Sequence, residues 1–523
     1  MDYILTGKTS KEVDTYCIDE IGIPSLVLQE RAALAVADET IQYLRQKEKQ
    51  EQKILVLCMP GNNGADGIAA ARLLSEKGYP CEIWIIGDTS RATREFQVQW
   101  NIAKKMELNI RYLKSESESP KDLKLKKNLE SSEDFGIGAF TVVIDAMFGI
   151  GLSREVSGIY AKLIKQVNGH GRYKIAVDIA SGLNAETGCV MGEAVRADVT
   201  VTFGAGKAGH FLCEGKNHTG KLVIKDIGFL KSAFESVKMK NPDFCYACHT
   251  KEDLNNIPRR SATSHKGTYG TVNVIGGGAN MSGAVALSAS AAYRCGAGLV
   301  KIYAGKQNLD AVKVLCREAV IGGYAEFDAD KISEGKDIIV AGPGLSVTDE
   351  ALGLVRNVLS LKCKIILDAD ALNVISENRI LLEQLHENVV VTPHIKEMAR
   401  LIERDTAYVR EHIVECARQF SRKYHCVTVI KDAATVISSP EGEIRINTTG
   451  NSGMSKGGSG DVLTGVIAGL MAQKLPVYEA ASMGVYLHGM AGDFAAEEMS
   501  EYSMLASDIV NKIPEVFKLE MEK

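Results

Sequence analysis

Short apolar runs, most followed by a glycine-bearing polar turn and a helical pattern, recur along this 523-residue chain and limit its fold more than any other feature. In the first half they are Lys53–Met59, Cys81–Gly87, Phe140–Ala146, Lys174–Asp178, Asp198–Phe203 and Gly220–Asp226. In the second half they are Thr271–Ile275, Asp337–Ala341, Lys364–Asp368, Val389–Thr392 and Val427–Lys431. Strands that alternate with helices predict parallel sheets covered on both faces. We therefore expect an α/β chain of two doubly wound, three-layer domains, residues 1–240 and 241–523.

Helical spacing of apolar residues predicts one or two helices over Ser10–Leu44, and further helices at Ile68–Lys77, Trp100–Leu108, Val285–Arg294 and Val462–Leu470. Ala and Ser dominate the helix that begins at Val285, so another backbone or a ligand can approach it closely. The charged stretch Arg111–Phe135 is interpreted as a solvated, partly helical insertion without chemistry. Gly228–Ile257 lacks strong periodicity and is interpreted as the linker.

The overall charge and hydropathy exclude several classes of protein. With a net charge of −5 and 24% charged residues, the chain shows no sign of a nucleic-acid or membrane-surface partner. No apolar run has the length of a signal peptide core at the start, and none is long enough to span a bilayer. We expect a cytoplasmic protein whose 12 cysteines are buried thiols.

The segment Cys245-Tyr246-Ala247-Cys248-His249 matches the C-x-x-C-H pattern of covalent haem attachment. That chemistry normally requires export, and no export signal is evident. A zinc site would require a second ligand pair at suitable spacing, and none is evident in the sequence. We therefore interpret the segment as linker with cysteines that hold no ligand.

Polar groups follow three strands of the first half. PGNNGADG (residues 60–67) follows the first strand, while Asp145, Asp178 and Ser181 lie at the ends of two others. The carboxyl ends of parallel strands meet at one edge of a sheet, so these groups are expected to converge. Oxygen ligands of this kind suit a hard cation or a polyhydroxylated ligand.

The second half contains a glycine-rich turn and helix start, Thr448–Gly465, with the sequence TTGNSGMSKGGSGDVLTG. Such a turn lets a ligand approach the backbone, and the N–H groups of the helix start attract an anion. Asp461 in this turn is a candidate general base or metal holder, or alternatively a simple helix N-cap. His394 and Lys431, at other strand ends, are expected to join Gly460 and Asp461 in one site. The Gly-Lys-Ser/Thr of a P-loop is absent, which argues against an ordinary P-loop ATPase.

PGNNGADG, the strand to Asp145 with FGIGLSR, and AVDIASGLNAETG resemble the Rossmann-like epimerase domain of the YjeF N-terminal family. The resemblance implies interconversion of the R and S epimers of hydrated NAD(P)H, called NAD(P)HX, with potassium held by Asn62, Asp145 and Ser181. Asp178 is the expected acid/base. The residues implied to line the dinucleotide are Asn62, Asn63, Gly64, Ala65, Asp66, Gly149, Ile150, Gly151, Leu152, Ser153, Arg154, Glu155, Tyr160 and Asp178.

The motifs SHKGTYG, GGGANMSGA, GPGL, DADALN, TPHIKEMARL, KDAAT and GNSGMSKGGSGDVLTG resemble the NAD(P)HX dehydratase domain, which has a ribokinase-like fold. The resemblance implies that ADP drives dehydration of the S epimer to NAD(P)H, with AMP and phosphate as products and Mg²⁺ bridging the phosphates. Asp461 would deprotonate the substrate hydroxyl. The implied NAD(P)HX contacts are Ala284, Gly344, His394 and Asp461, and the implied ADP contacts are Lys431, Asp432, Ala433, Ala434, Thr435 and Gly460.

Together the two halves resemble the bifunctional NAD(P)H-hydrate repair enzymes of bacteria, and a homo-oligomer is expected. Two other interpretations stay open at this point. A sugar or vitamin-precursor kinase also phosphorylates alcohols with a catalytic Asp in a G-x-G-D turn, although the fused first half favours repair. The second alternative is a non-enzymatic nucleotide sensor in which one or both sites are inactive.

Overall fold

A computed structural model describes residues 1–48, 52–113 and 134–521 of the chain. The chain divides into an N-terminal unit, Tyr3–Cys245, and a C-terminal unit formed by Met1–Asp2 and Tyr246–Lys523. The sequence-based boundary near Asn241 lies four residues before this division. No helix within the described ranges has the length and apolar character needed to cross a membrane.

The N-terminal unit is built on a parallel sheet. Its strands are β1 (Asp2–Leu5), β2 (Ile54–Cys58), β3 (Cys81–Ile86), β4 (Asn109–Leu113), β5 (Val142–Ala146), β6 (Tyr173–Val177), β7 (Val199–Phe203), β8 (Gly206–Lys207) and β9 (Lys221–Lys225). The order in the main sheet is β4-β3-β2-β5-β6-β7-β9, with every neighbouring pair parallel, and β1 pairs with β8. The helices are α1 (Gly7–Thr15), α2 (Ser25–Leu44), α3 (Asn62–Glu76), α4 (Arg94–Lys105), α5 (Gly158–Gly169), α6 (Gly215–Thr219) and α7 (Lys231–Lys240).

Helices cover both faces of this sheet. Along β2, Ile54, Val56 and Cys58 belong to one buried apolar cluster. Leu55 and Leu57, which point to the opposite face, belong to another. A strand that is buried on both faces reads as an unbroken apolar run, which is why the sequence reveals it so clearly.

The C-terminal unit has a larger, mixed sheet. Its strands are β10 (Cys245–Cys248), β11 (Thr271–Ile275), β12 (Leu299–Ala304), β13 (Val320–Gly323), β14 (Asp337–Ala341), β15 (Lys364–Leu367), β16 (Val389–Val391), β17 (Val427–Ile430), β18 (Val436–Ser438) and β19 (Ile444–Ile446). They lie in the order β13-β12-β11-β14-β15-β16-β17-β18-β19-β10. Neighbours are parallel from β13 to β17, while β18 is antiparallel to both of its neighbours.

The α-helices of this unit include α8 and α15, which pack against each other. The full set is α8 (Ser282–Arg294), α9 (Leu309–Leu315), α10 (Asp349–Leu359), α11 (Asp370–Glu377), α12 (Ile395–Ile402), α13 (Thr406–Glu411), α14 (Ile413–Tyr424), α15 (Ser459–Ala472), α16 (Val477–Met499) and α17 (Ala506–Met521). Two doubly wound α/β units are therefore present, one with a parallel sheet and one with a mainly parallel sheet, as the strand–helix alternation predicts.

Three sequence-based expectations are corrected. PGNNGADG is not a turn before a helix at Ile68, because α3 already begins at Asn62. Gly228–Ile257 is not an aperiodic linker, since it contains α7 and β10, and Cys245 and Cys248 lie in that strand. Not every cysteine is buried, because Cys81, Cys189 and Cys213 are partly exposed. Of the predicted insertion Arg111–Phe135, residues 114–133 lie outside the described residues.

Candidate active sites

A cavity of about 1030 Å³ opens at the carboxyl edge of the N-terminal sheet. The start of α3, the loop after β5 and the residue that follows β6 all reach it. The predicted site residues that line it are Asn62, Asn63, Asp66, Gly149, Ile150, Gly151, Leu152, Ser153, Arg154, Tyr160 and Asp178. Four cationic residues, Lys11, Arg91, Arg154 and Lys207, lie in its wall.

Three predicted residues do not line this cavity. Ala65 is buried, and Glu155 is exposed away from the wall. Gly64 is buried where α3 passes over the end of β2, and a Cβ at this position would lie 1.8 Å from the carbonyl oxygen of Met59. Its role is thus to allow close backbone packing rather than to contact a ligand.

A buried ion pair forms the centre of the site. The Asp178 carboxylate accepts hydrogen bonds from Lys207 Nζ at 2.5 Å and from Thr202 Oγ1 at 2.9 Å. Lys207 is only 1% exposed. Burial by itself would raise the pKa of Asp178, but the Lys207 ammonium outweighs it and holds that pKa below its usual range. Asp178 is therefore ionised at neutral pH.

Two further carboxyl groups of the cavity wall have raised pKa values, in contrast to Asp178. Burial, together with the charge of Asp178, raises the pKa of Asp66 well above its usual range. Asp14 has a raised pKa for the same two reasons. The cavity thus combines an ionised carboxylate with carboxyl groups that tend to keep their protons, which is the arrangement that acid–base chemistry requires.

The residues predicted to hold potassium are brought together only in part. Asp145 is fully buried and accepts hydrogen bonds from Ser181 Oγ at 2.6 Å and Ser181 N at 2.8 Å. Ser181 Oγ also lies 3.3 Å from the carbonyl oxygen of Phe148. Burial raises the pKa of Asp145 to about 6. Asn62 lies at the exposed start of α3, on the cavity wall.

In the C-terminal unit a second buried ion pair joins two strand ends. Lys431, directly after β17, donates a hydrogen bond from Nζ to Asp368 Oδ1 at 2.6 Å, and Asp368 is 1% exposed. Burial would lower the pKa of Lys431, but Asp368 and Glu397 raise it above its usual value. Gly460 lies against this pair, since a Cβ there would be 3.3 Å from Lys431 Nζ.

Asp461 lies in the first turn of α15, beside this ion pair. Burial, and then the negative charge of Asp368, raises the pKa of Asp461 to about 7, although Lys431 acts in the opposite direction. The first N–H groups of a helix have no partner inside the helix and attract anions. A base with a pKa near neutrality therefore lies next to a site suited to phosphate.

His394 caps the start of α12 with its imidazole, and its backbone forms an isolated parallel bridge with that of Lys431. Its Nδ1 accepts hydrogen bonds from the backbone N–H groups of Lys396 and Glu397, at 3.1 and 3.2 Å. Burial, followed by the charge of Lys431, lowers the pKa of His394. The ring is therefore neutral at physiological pH, and its side chain is about half exposed.

The remaining predicted residues of this unit lie around the same sheet edge. Ala284 is in the first turn of α8, and Gly344 follows β14. Asp432 pairs with Arg410 at 3.7 Å, whereas Ala433 is exposed, Ala434 is buried and Thr435 is half-buried. A cavity of about 560 Å³ adjoins Gly344 and includes Gly278, Tyr324, Leu345 and Ser346.

Comparison with known proteins places these two sites in context. Residues 25–209 match the family described as YjeF-related protein N-terminus, and residues 272–515 match the family described as NAD(P)H-hydrate dehydratase. The chain is 35% identical to a bifunctional NAD(P)H-hydrate repair enzyme of Moorella thermoacetica, with 99% of this chain and 97% of that protein aligned. The chain belongs to the family of bifunctional NAD(P)H-hydrate repair enzymes.

The chain is also similar to two further proteins. The Escherichia coli K12 enzyme is 31% identical over 93% of this chain and 89% of its own length. The solved ADP/ATP-dependent NAD(P)H-hydrate dehydratase of Bacillus subtilis, co-crystallised with ATP and Mg²⁺, is 31% identical and covers 52% of this chain and 98% of its own, with a TM-score of 0.46. The family and sequence matches confirm the predicted family, the two-domain α/β fold and the class of repair enzyme.

Sequence reasoning missed several residues of both sites. Lys207, Thr202 and Asp14 are not singled out by their local sequence. The tertiary fold reveals them, because Lys207 and Thr202 donate hydrogen bonds to Asp178 and Asp14 lies close enough to feel its charge. Asp368 and Asp370 could have been predicted as site residues from the sequence, because they stand at the end of an apolar run in the same way as Asp145 and Asp178. Within the described residues no group of three or more His, Cys, Asp or Glu side chains is arranged to hold a metal ion.

Proposed function

We propose that the chain repairs hydrated NAD(P)H in two steps. The N-terminal unit interconverts the R and S epimers of NAD(P)HX, and the C-terminal unit dehydrates the S epimer with ADP to give NAD(P)H, AMP and phosphate. One observation carries the proposal. Each unit has its own buried carboxylate–lysine pair at the carboxyl edge of a parallel sheet, in a chain that matches repair enzymes over its whole length.

Epimerisation requires the hydroxyl on the ring carbon to leave from one face and return on the other. The hydroxyl takes a proton and leaves as water while the ring nitrogen supplies its electron pair. A second water then adds to the opposite face of that carbon and loses a proton. Asp66, with its raised pKa, suits the role of proton donor, and ionised Asp178 suits the role of acceptor.

The cavity around these carboxyl groups matches the rest of a dinucleotide. The start of α3, with Asn62 and Asn63, offers backbone N–H groups to a phosphate. Lys11, Arg91 and Arg154 add positive charge along the wall. The short loop Gly149–Leu152 lines the cavity and leaves space for the dinucleotide. The ring of Tyr160 packs against that of Phe148 in the same wall.

Potassium belongs to the same proposal. Asp145 Oδ1, Ser181 Oγ and the carbonyl oxygen of Phe148 come together, and hard monovalent cations favour such oxygen ligands. The raised pKa of Asp145 indicates a buried carboxylate without a compensating charge among the described residues. These residues fit the ion, and Asn62 would complete the set from the start of α3. When bound, the ion would supply positive charge that favours ionised Asp145.

Dehydration requires a better leaving group than hydroxide. Asp461 would accept the proton of the substrate hydroxyl while that oxygen attacks the terminal phosphorus of ADP, so that AMP leaves and the hydroxyl becomes a phosphate ester. Loss of phosphate, together with a ring proton, then gives NAD(P)H. The first N–H groups of α15 would stabilise charge on the transferring phosphoryl group. Mg²⁺, when bound, would neutralise charge on the nucleotide phosphates.

In the C-terminal unit, the residues proposed to bind the ligands lie at the carboxyl edge of the sheet. Lys431–Thr435 and Gly460 are proposed to hold the adenine nucleotide. Ala284, Gly344, His394 and Asp461 are proposed to contact NAD(P)HX, with the cavity of about 560 Å³ beside Gly344 available to the dinucleotide. The use of ADP, a cytoplasmic location and a homo-oligomeric state stay predictions.

Two matched variants test this division of work. Asp461→Asn should reduce dehydration by about 10²–10⁴-fold and leave the interconversion of epimers unchanged, because a general base contributes roughly that much. Asp178→Asn should abolish epimerisation and leave dehydration of the S epimer unchanged. The two rates are measured separately on purified epimers. Equal loss of both activities in either variant would refute the assignment, and a stable phosphate ester as final product would indicate a kinase.

A further inference from the structure

Two thiols of the N-terminal unit lie in contact although they are far apart in the sequence. The Sγ atoms of Cys189 and Cys213 are 3.3 Å apart and the residues are separated by 24 positions. Both are partly exposed, whereas nine of the 12 cysteines are buried. The remaining partly exposed cysteine, Cys81, has its sulfur against the carbonyl oxygen of Tyr79.

Backbone hydrogen bonds hold the segments around the two cysteines in place. Cys189 accepts a hydrogen bond at its carbonyl oxygen from Asn184 N at 3.0 Å. The residue after Cys213, Glu214, donates from its N–H to the carbonyl oxygen of Gly188, next to Cys189, at 3.1 Å. Two segments held side by side in this way keep their side chains at a fixed separation. A disulfide requires such close and fixed neighbours.

The two segments lie next to the residues of the ion pair in the first candidate site, Asp178 and Lys207. The segment that contains Cys189 begins at Asp178, and the segment that contains Cys213 begins just after Lys207. His210, between Lys207 and Cys213, has its Nε2 3.0 Å from the carbonyl oxygen of Asp178. A covalent link between the cysteines would therefore connect the two segments that support Asp178 and Lys207.

We propose that Cys189 and Cys213 are a redox site, which a small disulfide such as oxidised glutathione converts into an intramolecular disulfide. One protein thiol, as its thiolate, attacks the small disulfide, forms a mixed disulfide and releases one reduced thiol. The second protein thiol attacks the protein sulfur of the mixed disulfide and releases the other. Two protein thiols are oxidised by two electrons, and two molecules of the small thiol carry away the electrons and the protons.

The expected consequence is a local loss of mobility. A disulfide across 24 residues restricts how far the two segments can separate when the structure opens locally. Amide hydrogens from Gly204 to Gly215 should therefore exchange more slowly in the oxidised protein. Reduction with dithiothreitol should restore the original rates, because it breaks the disulfide and regenerates both thiols.

Mass spectrometry of the full chain after incubation with oxidised glutathione tests the proposal. We expect a cross-linked peptide pair that joins Cys189 to Cys213 and is two hydrogens lighter than the reduced pair. Cys189→Ser and Cys213→Ser should each retain glutathione on the remaining cysteine, while Cys81→Ser, the matched control, should form the cross-link as wild type does. Separate glutathione adducts on both residues of the wild type, or no reaction at either when Cys81 reacts, would overturn the proposal. Unchanged amide exchange in a cross-linked protein would overturn its proposed effect on mobility.

Discussion

Both candidate active sites contain a lysine that forms an ion pair with a carboxylate. Lys207 neutralises Asp178 in the N-terminal unit, and Lys431 neutralises Asp368 in the C-terminal unit. At the first site the Lys207 ammonium keeps the pKa of Asp178 below its usual range. Burial raises the pKa of Asp66 at the same site and that of Asp461 at the second. Burial of charge thus separates the protonation states of neighbouring acids, which general acid–base catalysis can use.

Replacement of Lys207 tests this at the first site. Lys207→Met removes the charge that keeps Asp178 ionised, so the carboxyl group should take up a proton and epimerisation should be lost. An uncompensated buried partner also costs about 3–5 kcal/mol of unfolding free energy. Activity on purified epimers and urea unfolding would measure the two effects.

The matched control is Lys225→Met, because Lys225 pairs with Glu39 at a partly exposed position. Such pairs contribute at most about 1 kcal/mol, and epimerisation should be retained. Wild-type epimerisation in Lys207→Met would show that Asp178 does not depend on its lysine.

The second site should show a pH dependence set by Asp461. Its pKa of about 7 means that the fraction of ionised base falls as the pH falls through neutrality. If the ionised form is the base, kcat/KM for dehydration should decline about tenfold per pH unit below roughly pH 6 and level off above about pH 8. The residual rate of Asp461→Asn should lack this dependence. A wild-type profile that stays flat across neutral pH would remove Asp461 from proton transfer.

Single residues could be placed from sequence where a polar group lies at the end of an apolar strand. The structure has Asp145 near the end of β5 and Asp178, His394 and Lys431 at or shortly after the ends of β6, β16 and β17, while their roles stay predictions. Lys207 was not, because it lies within a two-residue strand and its importance depends on Asp178, 29 positions away. Partners that meet only through the tertiary fold leave no local pattern in a single sequence.

At the scale of elements, α15 is held against α8 by small residues. Ser288 Oγ donates to the carbonyl oxygen of Asp461 at 2.8 Å, and a Cβ at Gly465 would lie 2.1 Å from the carbonyl oxygen of Ser288. The many Ala and Ser residues of α8 indicated that a backbone or a ligand approaches closely, and the structure shows that a backbone does. This contact positions the start of α15, and with it Asp461.

Gly465→Val should therefore damage the site from a distance. The side chain would meet backbone atoms of α8 and push the helices apart, at a cost of about 1–3 kcal/mol of unfolding free energy. Dehydration should fall while epimerisation stays unchanged.

Gly283→Ala is the control, since Gly283 lies in α8 and a Cβ there would meet no atom of the described residues within 4 Å. That variant should be as stable as wild type or slightly more so, because alanine favours a helix more than glycine does. Equal stability and equal dehydration in Gly465→Val and wild type would show that the helix contact does not position Asp461.

Elements buried on both faces were predicted well, and those with mixed surroundings were not. The run Leu299–Ala304 was missed because its residues alternate between buried and partly exposed, with Lys301 in the middle. The start of α3 was misjudged because glycine disfavours helices, whereas close packing on Met59 requires Gly64 there. Local propensity yields to tertiary contacts at such positions.

At the scale of the whole molecule, one chain joins two consecutive reactions. Dehydration that accepts only the S epimer leaves the R epimer behind, and epimerisation replenishes the S form as it is consumed. The two units have separate cores and separate ion pairs, so damage to one site should leave the other active. Their combination should recover all of the hydrated cofactor rather than a part of it.

The most direct test follows the return of reduced-nicotinamide absorbance when the purified chain acts on mixed epimers of NADHX. The mixture contains ADP, Mg²⁺ and K⁺. We expect complete conversion of both epimers, with one AMP formed for each NADH. Conversion that stops once the S epimer is exhausted would contradict the role of the N-terminal unit, and no return of absorbance with either ADP or ATP would contradict repair altogether.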